Sequence, residues 1–405
     1  MIESVESIFN NYISNLNSVN LYFNKFGKLA TNEDESINDT SNKLLINTLT
    51  EYTDKVEEIK KEKGEDDEAI LKFSKRHLRK VMQKLKKRRS LSPKNYEILS
   101  NSSFLMLNNY FEYLLTDLLS YYYNKYSSSL NEKEFKFTLK ELSEYESINE
   151  AIKDLITKEV ETLILEKSFS ELLQHFTDKL KISLEKDLIK WENIIEIRER
   201  RHLIVHNSSI VNKKYIVRTN NPYNFNIGDK VSVDKTYFLN SLKEFKLAGQ
   251  LLLFNCWGNW DKDKADEAIN EIMTQSYEDL VEKNYDVVLK TCKYAEAIIP
   301  KNNEQEDFLM RIKMNYAIAL KRTNDPKLSE VLKTIKVGTA TPIFKAVFKI
   351  LSNDYEDLEK EIKNAIILEE LDKEKYLEWP IFEEIRNMDV LDEKIVSMFQ
   401  EDEKK

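Results

Sequence analysis

Arg198, Arg201, His202, His206 and Asn207 are grouped in the stretch from Ile194 to Val211, IIEIRERRHLIVHNSSIV. They come after an apolar line of Trp191, Ile194, Ile195 and Ile197 at helical spacing. Guanidinium and imidazole groups are costly where Leu or Val would pack, so their arrival on such a line marks a candidate site. Two of the four histidines of the chain fall in this one segment.

Three kinds of chemistry suit these residue types. The simplest is a helix end, with Asn207, Ser208 and Ser209 capping it and cationic side chains meeting its dipole. A metal site is the second, because His202 and His206 at i, i+4 share one helix face. Leu203, Ile204 and Val205 lie between them, so the glutamate of a zinc hydrolase is missing, and Arg201 would repel a cation. The third is phosphodiester cleavage without a metal. Attack by the 2′-hydroxyl of RNA needs a base near neutrality, an acid for the leaving oxygen and a cation for the phosphate. Histidine meets the first two needs and a guanidinium the third. One helix offers one such pair, and a twofold dimer would bring two pairs into one cleft.

The run RHLIVHN, with Arg201, a polar residue directly after it, three apolar residues, His206 and Asn207, resembles the R-x4–6-H motif of the HEPN superfamily. The trailing SSIVNKKYIV is similar to the run after that motif in bacterial HEPN proteins of the phage-defence type, and the helix from Phe104 to Tyr126 would be its partner. The resemblance spans about residues 95 to 255. It implies a dimerising helical bundle with metal-independent endoribonuclease activity that leaves 2′,3′-cyclic phosphate ends, as in toxins and abortive-infection systems. By position, His206 would be catalytic base or acid, Arg201 the phosphate-binding residue, His202 an orienting or binding residue and Asn207 a supporting one. No cofactor is implied. No tyrosine directly succeeds His206, which separates the chain from the tyrosine-modified HEPN toxins. The rival expectation is a non-catalytic dimeric scaffold that binds RNA or a protein through the same residues.

The elements that must position these residues are read as helices. Six glycines and six prolines in 405 residues, with abundant Leu, Ile, Lys, Glu and Asn, favour helix throughout and predict an all-α chain of two or three domains. A net charge of −9 excludes a global field for nucleic acid, so an RNA partner must meet a local patch. The basic helix KRHLRKVMQKLKKRR supplies one candidate, with Lys75, Arg76, Arg79, Lys80, Lys84, Lys86, Lys87, Arg88 and Arg89 beside Arg198 as RNA-binding residues. Its Leu71, Leu78, Val81, Met82 and Leu85 also suit a solvated amphipathic helix. Cys256 and Cys292 lack disulfide or metal spacing and predict free thiols in a reducing compartment. No signal pattern and no apolar run of ~18 to 20 residues occurs, which predicts a cytoplasmic chain with no membrane span.

In order, a helix over residues 1–30 is expected to break into a polar loop at Thr31 to Ser41, with helix resuming from Asn42 to Lys60. Ser90 to Pro93 reads as a boundary. A long amphipathic helix starts near Ser100, capped by Asn101 to Ser103, with Glu112 beside its core line. FKFTL, within Asn131 to Leu142, reads as a short strand. Further helices are expected at Ser147 to Glu166, Phe169 to Leu180 and Leu184 to Val205. Lys213 to Val217 and Lys230 to Val233 read as a small β-hairpin, and helix resumes near Thr236. Paired helices are expected at 264–281, 284–298, 305–322, 327–336, 341–352, 355–370, 374–387 and 391–400, joined by Asn/Asp/Pro turns as in tetratricopeptide-like repeats. The division is thus 1–92, an N-terminal helical region; 93–260, a HEPN-like catalytic and dimerisation domain; and 261–405, a helical-repeat domain open to a protein partner or trigger.

Overall fold

The computed structural model describes residues 4–63, 67–89, 94–130, 144–338 and 340–402, with 138 and 140. The chain is all-α. In order the helices are α1 (Val5–Lys63), α2 (Asp67–Arg89), α3 (Asn95–Lys125), α4 (Ile148–Glu166), α5 (Phe169–Asp178), α6 (Trp191–His206), α7 (Lys213–Thr219), α8 (Lys235–Trp260) and α9 (Ala265–Val281). They continue with α10 (Tyr285–Ala295), α11 (Asn303–Arg322), α12 (Leu328–Thr334), α13 (Pro342–Leu351), α14 (Leu358–Ile367), α15 (Lys373–Glu378), α16 (Glu383–Arg386) and α17 (Asp389–Asp402). Except for Thr138, the FKFTL run lies outside the described residues, as do Ser90 to Pro93.

The residues group into two compact units. The first comprises Met1–Tyr12, Tyr113–Asn193 and Lys243–Lys405, and the second Ile13–Glu112 and Ile194–Leu242.

In the first unit, Phe9 stacks on Phe254 with ring centroids 5.4 Å apart, and the Tyr12 hydroxyl donates to the Phe245 carbonyl at 2.7 Å. Gly249 makes that close approach possible, because a Cβ there would lie 2.2 Å from the Tyr12 ring. Lys246 and Asp279 form a buried ion pair at 2.7 Å. Cys256 and Cys292 are buried free thiols. The paired helices fall close to their expected boundaries. Four of them, α9, α11, α13 and α14, stop in the same way, each trailed by a left-handed residue: Lys283, Asn324, Asn353 and Glu369. The next N–H then returns to the carbonyl five residues back, at 2.8 Å for Asn284 to Asp279 and 2.9 Å for Asp325 to Leu320, Asp354 to Lys349 and Glu370 to Ala365. This recurring Schellman turn satisfies the last carbonyls and reverses the chain.

Two helical expectations fail in this unit. The helix expected from Leu184 begins only at Trp191: Leu180, Ile182 and Leu184 are buried alternately with exposed Lys181 and Ser183, a period of two that marks extended chain, and a turn then follows in which the Leu188 and Ile189 N–H groups donate to the Glu185 carbonyl at 2.9 and 2.8 Å. Positive φ at Lys181 and Glu185 bends that segment, and Trp191 Nε1 donates to the Leu184 carbonyl at 2.7 Å. The helix expected over 374–387 breaks after Glu378 into a 3₁₀ turn at Pro380–Phe382, since proline disfavours helix in the residue before it.

In the second unit, α1 runs straight through the loop expected at Thr31 to Ser41. No glycine or proline occurs between Lys28 and Lys63 to stop it, and a polar run can remain helical in solvent. Asp34 on α1 accepts from the N–H groups of Asn95 and Tyr96, both at 3.0 Å, and so caps α3. Because α3 starts at Asn95, Asn101 to Ser103 lie inside it rather than at its cap. Farther along α1, Tyr52 shares a hydrogen bond with Ser74 of α2 at 2.7 Å, and His77 Nε2 meets the Thr48 carbonyl at 2.9 Å.

The expected hairpin is replaced by a short helix. Among the described residues only Ile210 and Lys230 form a β-bridge, and Lys213 to Val217 belong to α7. The Asn212 side chain accepts from the Tyr215 N–H and starts the helix, while Val211, Tyr215 and Thr219 are buried at a spacing of four.

Candidate functional site

The site is built at the C-terminal end of α6. Burial along the helix passes through Ile194, Glu196, Ile197, Arg200 and Leu203. The polar groups that enter the interior are therefore Glu196 and Arg200, 2% and 4% exposed, and not the two histidines. This corrects the expectation that Arg201 and His206 interrupt the buried line: His206 is exposed, and Arg201 and His202 are half-buried.

The buried pair is saturated on nearly every side. Arg200 Nε donates to Glu196 Oε1 at 2.8 Å, the Tyr215 and Tyr237 hydroxyls donate to the two carboxylate oxygens at 2.5 Å each, and Arg200 Nη1 donates to the Ser232 carbonyl at 3.0 Å. The guanidinium carbon lies 3.7 Å from the centroid of Tyr237 and 4.7 Å from that of Tyr223. Burial opposes the Arg200 charge, but the Tyr237 hydroxyl and the Glu196 carboxylate outweigh it and hold its pKa above the ordinary value. Burial first, and then Glu196, push the Tyr237 phenol well above its usual range. The cluster locks α6 against α7 and the segment before α8.

One turn on, the character changes. The His202 and His206 rings lie 4.8 Å apart between centroids, as i, i+4 predicts. Burial, and next the neighbouring His206, lower the His202 pKa; Lys214 and Arg218 of α7 lower it further against the pull of Glu199. Arg198 pairs with Glu112 at 2.8 Å, and its charge is disfavoured first by burial. Arg218 pairs with Glu199 at 2.7 Å. Arg201 differs from Arg198, Arg200 and Arg218: it has no ion pair or hydrogen bond among the described residues, and its Nε is buried without an acceptor.

The helix then stops. Ser208 and Ser209 are both left-handed, the Ser209 N–H returns to the Leu203 carbonyl at 3.0 Å, and Asn207 Nδ2 donates to the Ile210 carbonyl at 2.5 Å. Asn207 thus shapes the turn. Gly228, at φ 98°, donates to the Val211 carbonyl at 2.9 Å and helps hold the loop that returns to Lys230.

The geometry brings His202 and His206 together but not Arg201 and His206. Five residues rotate about 140° around a helix beyond a full turn and rise about 7.5 Å, so these two leave α6 in different directions. Lys214 and Arg218, expected within a strand or at its end, add positive charge near His202. The spacing of Val211, Tyr215 and Thr219 is the signal for the helix that carries them. On α2, Lys75, Arg76, Arg79 and Lys80 are exposed, while the side chains of Lys84, Lys86, Lys87, Arg88 and Arg89 lie outside the described residues. Among the described residues no group of three or more His, Cys, Asp or Glu side chains could hold a metal ion, and no helix is long and apolar enough to cross a membrane. Comparison with known protein families, with curated proteins and with solved structures returned no match.

Proposed function

We propose that this chain is a HEPN-type endoribonuclease that cleaves RNA by 2′-hydroxyl attack, without a metal, and leaves 2′,3′-cyclic phosphate. The observation that carries this reading is Arg201: it is half-buried and without a carboxylate, whereas Arg198, Arg200 and Arg218 each have one, and it shares the end of α6 with His202 and His206. An arginine held in that state suits a phosphodiester, which supplies the missing acceptors in bidentate form. In this scheme His206 and His202 exchange protons with the 2′-hydroxyl and the leaving 5′-oxygen, and Arg201 stabilises charge on the phosphate. The low His202 pKa keeps that ring neutral at physiological pH, as a base requires.

The divergence of Arg201 and His206 within one copy supports a homodimer, in which the arginine of one copy faces the histidine of its partner. The exposed cations of α2 suit RNA phosphate. Charge reversal at Lys75 and Arg79 that left RNA affinity and its salt dependence unchanged would remove α2 from the scheme. The biological setting that fits is a cytoplasmic effector of prokaryotic antiviral defence, with the helix pairs from α9 onward meeting a protein partner or trigger. Cross-linking of the full chain in infected cells that captured nothing on residues 265–402 would sink that last part.

The direct test is cleavage of total and transfer RNA by purified protein in EDTA, beside His206→Ala, with end-group analysis. Cleavage by the native chain alone, leaving cyclic phosphate, is the expected result. Equal inertness of both proteins favours a dimeric scaffold that binds RNA or protein without turnover.

A further inference from the structure

The pair formed by α1 and α2 in the second unit has two apolar faces, and only one of them is used inside the pair. Tyr52 of α1 is bonded to Ser74 of α2 and Thr48 meets His77, so numbers fall along one helix as they rise along the other and the two are antiparallel. Leu45, Thr48 and Tyr52 on α1, with Ile70, His77 and Val81 on α2, are the buried or half-buried positions that mark the seam. Ile46 and Leu49 on α1, and Leu71, Leu78 and Met82 on α2, each stand one residue after a seam position, and each is more than half exposed. One residue turns about 100° around a helix, and in an antiparallel pair the same turn on both helices leads to the same side. The five aliphatic side chains therefore share one open face of the hairpin.

Charge accompanies them. From Leu71 to Met82, α2 holds Lys72, Lys75, Arg76, Arg79 and Lys80 and no acid. All five are exposed and form no ion pair among the described residues. Lys75 stands within the aliphatic line, four residues after Leu71 and three before Leu78, and Lys72 and Arg79 follow it along the outer edge.

We infer that this face docks the protein on an anionic phospholipid surface. An RNA strand answers the cations but leaves the aliphatic line unused, because its bases stack on aromatic rings, and Phe73 and His77 are already stacked inward with Tyr52. An acidic groove in a protein grips one helix around most of its girth, whereas α1 already covers α2 on one side and leaves a flat face two helices wide. A bilayer surface accepts both halves of the pattern. Headgroup phosphates meet lysine and arginine, Leu, Ile and Met enter the acyl boundary, and the long basic side chains extend back to the headgroups. Such docking lies on the membrane and needs no span. It draws on the cations of α2 that also suit RNA phosphate, so lipid and RNA should compete, but it does not depend on the nuclease reading.

The test is sedimentation of the full chain with phosphatidylcholine vesicles that either lack or hold about one-third phosphatidylglycerol, beside RNA binding by the same proteins. The native chain should bind the anionic vesicles at least about tenfold more strongly than the neutral ones, and less as salt is raised. Leu78→Gln with Met82→Gln, at exposed positions that glutamine keeps helical, should lower vesicle affinity about tenfold or more and leave RNA affinity unchanged. Ile46→Gln with Leu49→Gln on the other helix should act in the same way, which separates loss of the face from damage to α2. Circular dichroism checks the helix content of both variants. Native protein that stays in the supernatant with anionic vesicles, whether or not it binds RNA, would overturn the inference. So would vesicle binding unaltered in either glutamine variant, or a parallel loss of RNA affinity, which would assign the face to RNA.

Discussion

Helix α6 carries two clusters of charge one turn apart, and they are opposites. Glu196 and Arg200 are buried, paired, hydrogen-bonded to two tyrosines and a carbonyl, and covered by aromatic rings. Arg201, His202 and His206 are half-buried or exposed, and the arginine has no acceptor. Charge taken fully from water must be satisfied within the fold, so the first cluster serves to hold the helix in register. In the proposed function, charge left at the margin without a partner serves an RNA phosphate. The two arginines are sequence neighbours of identical type, and only their surroundings separate structure from chemistry.

The largest expected effect breaks the first cluster. Arg200→Ala or Glu196→Ala strands a buried charge and should cost about 3–5 kcal/mol, read by denaturant unfolding, whereas replacing both by apolar residues should recover most of the loss. A cost below about 1 kcal/mol for either single variant would show that the cluster does not hold the unit together.

Arg201→Ala should do the reverse. Unfolding free energy should change little, and cleavage should fall on the order of 100-fold or more, with Arg201→Lys retaining part because a point charge replaces a bidentate fork. If Arg201→Ala unfolds the protein as severely as Arg200→Ala, the contrast between the two clusters collapses.

Which features are legible in the sequence depends on the range of the interactions that set them. The all-α class and the paired C-terminal helices are readable, because glycine and proline are scarce and the turns at Asn324 and Asn353 carry residues that tolerate left-handed backbone. The stretch Leu184 to Lys190 misleads because Leu184, Leu188 and Ile189 stand at helical spacing ahead of Trp191. The short α7 misleads because β-branched residues in SSIVNKKYIV favour strand locally, and the deciding bond, Tyr215 to Glu196, joins positions far apart in sequence. At the site, residue types locate Arg201, His202 and His206. The pairing that distinguishes Arg201 from Arg200 depends on Tyr215, Tyr237 and Ser232, which only the fold brings near.

The smallest effect concerns pH. His202 titrates below the ordinary imidazole value of about 6.5, with burial as the first cause and neighbouring positive charge as another. Its neutral form favours the fold, so stability linked to it should be full above about pH 6.5 and decline as pH falls toward the lower native pKa. Lys214→Ala removes one of the positive charges and should raise the His202 pKa, moving the acid limb of any RNA cleavage upward. Titration of the ring by NMR is the check, and a downward or absent shift would place Lys214 too far away to matter.

The measurement that bears most directly on the central claim is complementation between two inactive variants. Arg201→Ala and His206→Ala chains are mixed, allowed to exchange subunits, and assayed for RNA cleavage in EDTA. If Arg201 of one copy works with His206 of its partner, each variant alone is inactive and the mixture recovers about a quarter of native activity, from mixed dimers with one intact site of two. A mixture as inactive as its parents, beside an active native chain, would place both residues in a site confined to one copy and contradict the composite arrangement.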